Sequence, residues 1–138
     1  MNILNNLKER IDYDSVFATP INQTLRYYPF VGFIRKLLKR NNNMKILEIS
    51  SGASWITKYI KTPVVGMDVS FPDKPSPYLK KLKHSALKKF PFKGNEFDVV
   101  LSVDGYEHLP KNRRRRTLEE MYRVSKKYML LTTLFGET

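Results

Sequence analysis

The sequence predicts an α/β fold with a mainly parallel sheet covered on both faces. Three observations carry this. Short, nearly continuous apolar runs ("KILEI", "PVVGMDV", "FDVVLSV") recur along the chain, as strands buried on both faces require. Between them lie helix-periodic or turn-rich stretches, in the alternating order that places helices outside a parallel sheet. The 138 residues are enough for one domain with a real core and small for an enzyme with a separate substrate domain.

The elements follow in order. Residues up to about Asn43 read as helical. "PFVGFIRKLLKR" opens at Pro29, a residue suited to a first helical turn. Its Phe30, Phe33, Ile34, Leu37 and Leu38 fall on one helical face. Arg35, Lys36, Lys39 and Arg40 take the other face, and packing against a sheet is preferred over lying on a membrane surface. Asn41 to Asn43 end the helix. "KILEI" is then a first strand, "SWITKYI" a brief helix and "PVVGMDV" (Pro63 to Val69) a second strand. The prolines of "FPDKPSP" bar a full helix after it. "LKHSAL" reads as a short third strand, and "FDVVLSV" (Phe97 to Val103) as the clearest strand. "RRRRTLEEMYRVSKK" is a helix with Leu118, Met121, Tyr122 and Ser125 as its inward stripe, and "YMLLTTL" (Tyr128 to Leu134) is a final strand. Residues 1–43 are expected to form a helical extension packed on a domain spanning 44–138.

Composition narrows the function classes. No cysteine is present, which excludes disulfides, thiolate metal sites and cysteine nucleophiles. No secretory signal pattern opens the sequence and no apolar run reaches membrane-spanning length, so a cytoplasmic location is expected. The net charge of +12 raises the question of nucleic acid. Residues 80–93 hold six lysines (80, 81, 83, 88, 89 and 93) and no acid. The second basic run, "KNRRRR", is expected to be a salt-bridged helix surface: Arg115 and Arg116 precede Glu119 and Glu120 by four, and Glu119 precedes Arg123 by four.

Ligands of doubly wound sheets bind beyond the carboxyl ends of the strands. "EISSGAS" lies where the first strand delivers such a loop, and Gly52 permits positive φ and close backbone approach there. Asp68 ends the second strand twenty positions after Glu48, where a carboxylate accepts hydrogen bonds from both hydroxyls of an adenosine ribose. A dinucleotide fingerprint needs further glycines, yet Ser50, Ser54 and the bulky Trp55 occupy the loop, which disfavours a nicotinamide cofactor.

At these positions the chain resembles the class I S-adenosylmethionine (SAM)-dependent methyltransferases, in particular those related to ubiquinone biosynthesis. The likeness covers about Lys45 to Leu134, in four motifs: "ILEISSGAS", "VVGMDVS", "LKKFPFKGNEFDVVLSVDGYEHLP" and "RTLEEMYRVSKKYMLLTT". It implies a Rossmann-like three-layer sandwich with a five-stranded sheet in the order 3-2-1-4-5, cut short of the family's last two strands. It also implies roles. Glu48 would lie near the methionine part of SAM, with the backbone of Ser50, Ser51 and Gly52 bending around it. Asp68 would hold the ribose with Val69 beside it, Ser85 and Ala86 would flank the adenine, and Asp104 would face the methionine end. Ser50, Ser54 and Ser85 depart from the family pattern. Forced positive φ costs a serine about 1–2 kcal/mol, and a lost adenine-side acceptor about 1 kcal/mol, so weakened SAM binding is expected.

"DGYEH" brings Asp104, Glu107 and His108 together in sequence. In some relatives such a cluster holds a divalent metal that orients an acceptor hydroxyl. Here no metal is the leading expectation, and His108 is the candidate general base. The predicted function is methyl transfer from SAM to a small-molecule acceptor. One alternative is a non-catalytic domain of the same fold used for assembly, with self-association through the open edge of the last strand. Another is an RNA-directed methyltransferase with a metal at Asp104, Glu107 and His108; nucleic acid is not the favoured partner.

Overall fold

A computed structural model describes residues 20–132, with side chains from residue 26 onward. The beginning of the expected helical extension and the end of the last predicted strand lie outside these residues. The elements are α1 (Pro20–Arg40), β1 (Ile46–Ile49), α2 (Ile56–Ile60), β2 (Val64–Asp68), β3 (Leu79–Lys83), β4 (Phe97–Val103), a 3-10 turn (Tyr106–His108), α3 (Lys111–Val124) and β5 (Ser125–Thr132). The five strands run in the order β3-β2-β1-β4-β5 with every neighbouring pair parallel. This is the order and direction that the resemblance implies.

Alternation along the strands builds one core on each face of the sheet. Ile46, Val64, Val99, Leu101 and Val103 face Tyr27, Phe30, Val31 and Ile34 of α1, with Ile56 and Ile60 of α2 completing that layer. Leu47, Ile49, Met67 and Val100 point the other way, onto Met121 and Val124 of α3 and onto Phe90 and Phe97. Central β1 is buried throughout, and Glu48 is its one charged residue.

Four expectations are corrected. Pro29 does not begin the first helix but lies inside α1, exposed to solvent. The apolar stripe continues through it to Tyr27, one helical turn before Phe30 and Val31, so tertiary packing outweighs the local proline cue. The third strand is "LKKLK", not "LKHSAL". Leu79 stands opposite Val64 and Lys83 opposite Asp68, and exposed Lys80, Lys81 and Lys83 guard this edge against further pairing. In α3 the expected Leu118 and Met121 do face the core, joined by Thr117 and Val124; Tyr122 is 75% exposed, and Ser125 already belongs to β5. β5 itself starts three residues earlier than predicted, directly where α3 ends.

The expected helix ion pairs are also partly redistributed. Arg115 and Glu119 pair at 2.9 Å as predicted. Glu120, however, pairs with Arg123 at 2.8 Å and accepts the Phe90 N–H at 2.6 Å. Arg123 in turn donates to the carbonyls of Phe90 and Phe92 at 3.1 and 2.9 Å. The guanidinium hydrogen bond, with the Phe90 N–H behind it, holds the Glu120 carboxyl below the usual glutamate range. This clip binds the "FPF" segment to α3 and seats Phe90 in the core.

Candidate functional site

β1 delivers the chain into a loop of unusual conformation. Ser50, Gly52 and Ser54 have φ of 53°, 48° and 50°, so every second residue is left-handed. Glycine adopts this freely, whereas each serine is strained by about 1–2 kcal/mol. The loop thus keeps a glycine-type backbone path with serines in it. Such alternation turns successive N–H groups toward one concavity. Ser50 donates its N–H to the Met67 carbonyl at 2.8 Å, tying the loop to β2. The buried Ser54 donates its N–H to the Ser51 carbonyl at 2.7 Å, and its hydroxyl donates to the Glu48 carboxylate.

Glu48 is 1% exposed. Its Oε2 accepts from Ser54, and its Oε1 accepts the Tyr27 hydroxyl of α1 at 3.2 Å. Burial pushes its carboxyl up to about 7, against the two hydrogen bonds that favour the charged form; the charge of Asp68 adds to the rise. Burial likewise raises the Tyr27 phenol well above its ordinary value, reinforced by the Glu48 charge. The residue expected near the methionine part of a cofactor is therefore enclosed by protein groups.

Asp68 is half-buried at the end of β2. Its Oδ2 accepts the Gly52 N–H at 2.8 Å, and its Oδ1 accepts the Val69 N–H at 2.7 Å. The glycine loop and the second-strand carboxylate are therefore in direct contact. The Asp68 carbonyl accepts the His84 N–H at 2.9 Å, which brings the turn after β3 alongside. There Ser85 Oγ accepts the Leu87 N–H at 3.2 Å, and the Ala86 carbonyl accepts the Thr117 hydroxyl at 2.8 Å. Val69 and Ser85, with Lys83, His84 and Lys88, line an open cavity of about 400 Å³.

Asp104 follows β4 with φ of 50°. Its carboxylate accepts a charged hydrogen bond from Arg26 Nε of α1, and its Oδ1 accepts the Thr132 hydroxyl at 3.3 Å. The next residue touches the glycine loop so closely that a Cβ on Gly105 would sit 2.6 Å from Ser50 Cβ. Glu107 and His108 lie on the 3-10 turn, with their side-chain Oε1 and Nε2 4.0 Å apart. Arg114 of α3 anchors that turn by donating to the carbonyls of Glu107 and Leu109 at 2.7 and 3.0 Å. The His108 side chain is 74% exposed. Among the described residues, no three of His, Asp and Glu come together as a metal site. The metal-dependent alternative built on Asp104, Glu107 and His108 is thereby disfavoured, because Asp104 is turned to Arg26 and His108 to solvent.

The fold unites Glu48, Ser50, Ser51, Gly52, Asp68 and Val69 in one corner and places Ser85, Ala86 and Asp104 around it. It adds three residues that sequence reasoning missed: Arg26, Tyr27 and Thr132. Tyr27 had a signal, since a polar-tipped aromatic extends the α1 stripe by one turn. Arg26 and Thr132 had none, because their partner lies far away in sequence.

Comparison with known proteins agrees with the fold. Residues 47–130 match the family model described as "Methyltransferase domain". No protein of curated function matches the sequence. Similar solved structures include the trans-methyltransferase CalH in complex with SAH, at TM-score 0.62 and 15% identity, over 94% of this chain and 44% of that one. The sugar N-methyltransferase KedS8 from Streptoalloteichus has TM-score 0.62 and 11% identity, over 91% and 55%. The MccD protein has TM-score 0.58 and 18% identity, over 75% and 51%. These identities establish a shared fold, and this chain spans about half the length of such proteins.

Proposed function

The chain belongs to the methyltransferase-domain family, and from that premise we propose that it transfers the methyl group of S-adenosylmethionine to a small-molecule acceptor. The observation that carries this reading is the 2.8 Å contact between the Gly52 N–H and Asp68 Oδ2. It sets a left-handed loop against a strand-end carboxylate, the pair that an adenosine ribose and its extended substituent require. The residues fit the cofactor: Asp68 binds the ribose hydroxyls, the Ser50–Gly52 backbone lines the path of the methionine, and Val69, Ser85 and Ala86 flank the adenine. Asp104 stands at the methionine end. When bound, the cofactor supplies an electrophilic methyl group on a sulfonium centre.

The chain contributes position before it contributes acid–base chemistry. Holding an acceptor in line with a methyl group lowers the barrier by alignment alone. His108, exposed beside the β4 end, is the residue we assign as the candidate general base for an acceptor proton. α1 packs Tyr27, Phe30, Val31 and Ile34 against the sheet, and among the described residues no helix is long and apolar enough to cross a membrane.

Calorimetric titration with SAM and with S-adenosylhomocysteine tests the reading. Binding is expected, weakened at least about tenfold in Asp68→Ala through loss of charge-assisted hydrogen bonds. No binding at millimolar concentration, or equal binding by the variant, overturns it. Turnover with any acceptor rejects the alternative of a domain used only for assembly.

A further inference from the structure

Residues 53–93 hold most of the positive excess of the chain: nine lysines, no arginine, and two acids, Asp68 and Asp73. Asp68 accepts backbone N–H groups with both carboxylate oxygens. The arginines of α3 are engaged with nearby acids and carbonyls: Arg115 with Glu119, Arg123 with Glu120, and Arg114 with the carbonyls of Glu107 and Leu109. The lysines differ. Among the described residues no ion pair joins a carboxylate to Lys58, Lys74, Lys81, Lys83 or Lys88.

β3 sets these lysines in a line. Alternation puts Lys81 and Lys83 on one face of this edge strand. Lys81 lines a small cavity of about 100 Å³ together with Trp55, Lys58 and Lys74. Lys83 lines the next, an open cavity of about 400 Å³, together with Lys88. The two cavities make a track along β3 that ends beside Val69 and Ser85. Aromatic rings lie along it. Lys58 Nζ stands 3.6 Å from the centre of the Trp55 ring, and Lys81 Nζ 5.9 Å from that of Phe71. Both lysines are exposed, and Phe71 belongs to neither core. Lys81 Nζ also donates to the Pro72 and Lys74 carbonyls, at 3.4 and 3.5 Å, and an ammonium has a third donor beyond these.

We propose that the track from Lys58 to Lys88 binds single-stranded nucleic acid. The lysines contact phosphates as point charges, and Trp55 and Phe71 are platforms on which bases stack. Such contacts position a strand without reading its sequence. A bilayer surface is flat and is met by an amphipathic helix, whereas these cations line concavities and the adjoining α2 has five residues. An acidic peptide satisfies the lysines and leaves the rings without a role. The inference goes beyond the proposed function and does not depend on cofactor binding. The track lies on the β2–β3 side, so it leaves the β4 side, with His108, open to an acceptor.

Fluorescence anisotropy with a labelled single-stranded RNA of about 16 nucleotides tests the proposal. Between about 50 and 200 mM salt, contacts from Lys58, Lys74, Lys81, Lys83 and Lys88 are expected to give a log–log slope of about −3 to −4. Lys81→Gln combined with Lys83→Gln is expected to flatten that slope by about 1 to 1.5 and to weaken binding about tenfold at the lowest salt. Phe71→Ala is expected to weaken binding at least about fivefold with the slope unchanged, because stacking releases no counterions. Lys39→Gln combined with Arg40→Gln removes the same charge from the end of α1 and is expected to leave the slope unchanged. Thermal unfolding verifies that each variant is folded. No binding at about 50 mM salt overturns the proposal. Equal flattening by the α1 pair marks general charge attraction and overturns it as well. A silent Phe71→Ala, together with equally tight binding of polyglutamate or of phosphatidylserine vesicles, marks an acidic chain or a membrane as the partner and overturns it in favour of that one.

Discussion

On the β1–β2 side of the site, carboxylates find partners close by in sequence: Glu48 meets Ser54 six residues on, and Asp68 meets Gly52 sixteen residues back. On the β4 side, Asp104 is held by Arg26 and Thr132 at separations of 78 and 28 residues. The loop contacts of the first side form once β1 and β2 pair, and α1 then seals Glu48 with Tyr27. The second exists only after α1 has docked on one face of the sheet and β5 has joined its edge. The two sides also differ in solvation. Glu48 is sealed in the core, whereas His108 stands in water. The loop is satisfied mostly by its own neighbours, whereas the Asp104 clamp is assembled from distant parts of the chain. Four substitutions probe that contrast.

The largest effect is expected at Glu48. Its folded carboxyl titrates near 7, against an ordinary value of 4.5. Between those values the folded state holds a proton that the unfolded state has released, so stability falls as pH rises through this window. Below it both states are protonated and nothing is lost; above it both are ionised and the loss is complete. The 2.5-unit interval corresponds to about 3 kcal/mol. Glu48→Gln removes this ionisation, so the variant is expected to match the wild type near pH 4 and to exceed it by up to about 3 kcal/mol at pH 8. Urea unfolding across that range measures the difference. Parallel stability curves for the two proteins would mean that Glu48 is already ionised in the folded state, and that the β1 side is less sealed than described.

Glu48 also shows where sequence reading reached and where it stopped. The parallel strands, the loop and Asp68 were legible because such strands are encoded in short apolar runs, and the loop and its acid follow at fixed spacing; the strand order came only with the family resemblance. The sealing of Glu48 was not, since it depends on α1 laying Tyr27 across the sheet. Thr117 and Val124 were passed over in favour of Tyr122 and Ser125 because α3 runs into β5 without a loop, and its last turn therefore could not be phased from periodicity. The "LKKLK" strand was missed because an edge strand buries little and its lysines mask the alternation. Arg26 and Thr132 were invisible for a different reason: neither carries a local pattern, and only the assembled fold brings them to Asp104.

A smaller effect is expected where the two sides touch. Gly105 has an ordinary φ of −106°, so an added methyl meets a steric obstacle and no backbone strain. That obstacle is Ser50, whose Cβ would lie 2.6 Å from the new atom. Gly105→Ala is expected to destabilise by about 1–3 kcal/mol, as overpacking does. Adding Ser50→Gly removes the clashing atom and is expected to recover most of the loss, a non-additivity that a double-mutant cycle reads directly. Additive effects would show that the β4 turn yields independently and that the two sides are uncoupled at this point.

The smallest effects come from the loop serines, and their signs discriminate most finely. Both occupy left-handed positions, so replacing either by glycine relieves about 1–2 kcal/mol of strain. Glycine also makes the unfolded chain more flexible, which returns up to about 1 kcal/mol of that gain. At Ser50 no side-chain hydrogen bond is lost, so Ser50→Gly is expected to be neutral or stabilising by up to about 1 kcal/mol. At Ser54 the same change strips a buried hydrogen bond from Glu48, a loss of about 1.5–3 kcal/mol when the acceptor is charged. Ser54→Gly is therefore expected to be destabilising above pH 7, and less so below it, where Glu48 is protonated. Thermal unfolding of the two variants at pH 6 and pH 8 checks the pair. If both substitutions stabilised equally at pH 8, Ser54 would be a tolerated stand-in for glycine like Ser50, and the seal on Glu48 would rest on Tyr27 alone.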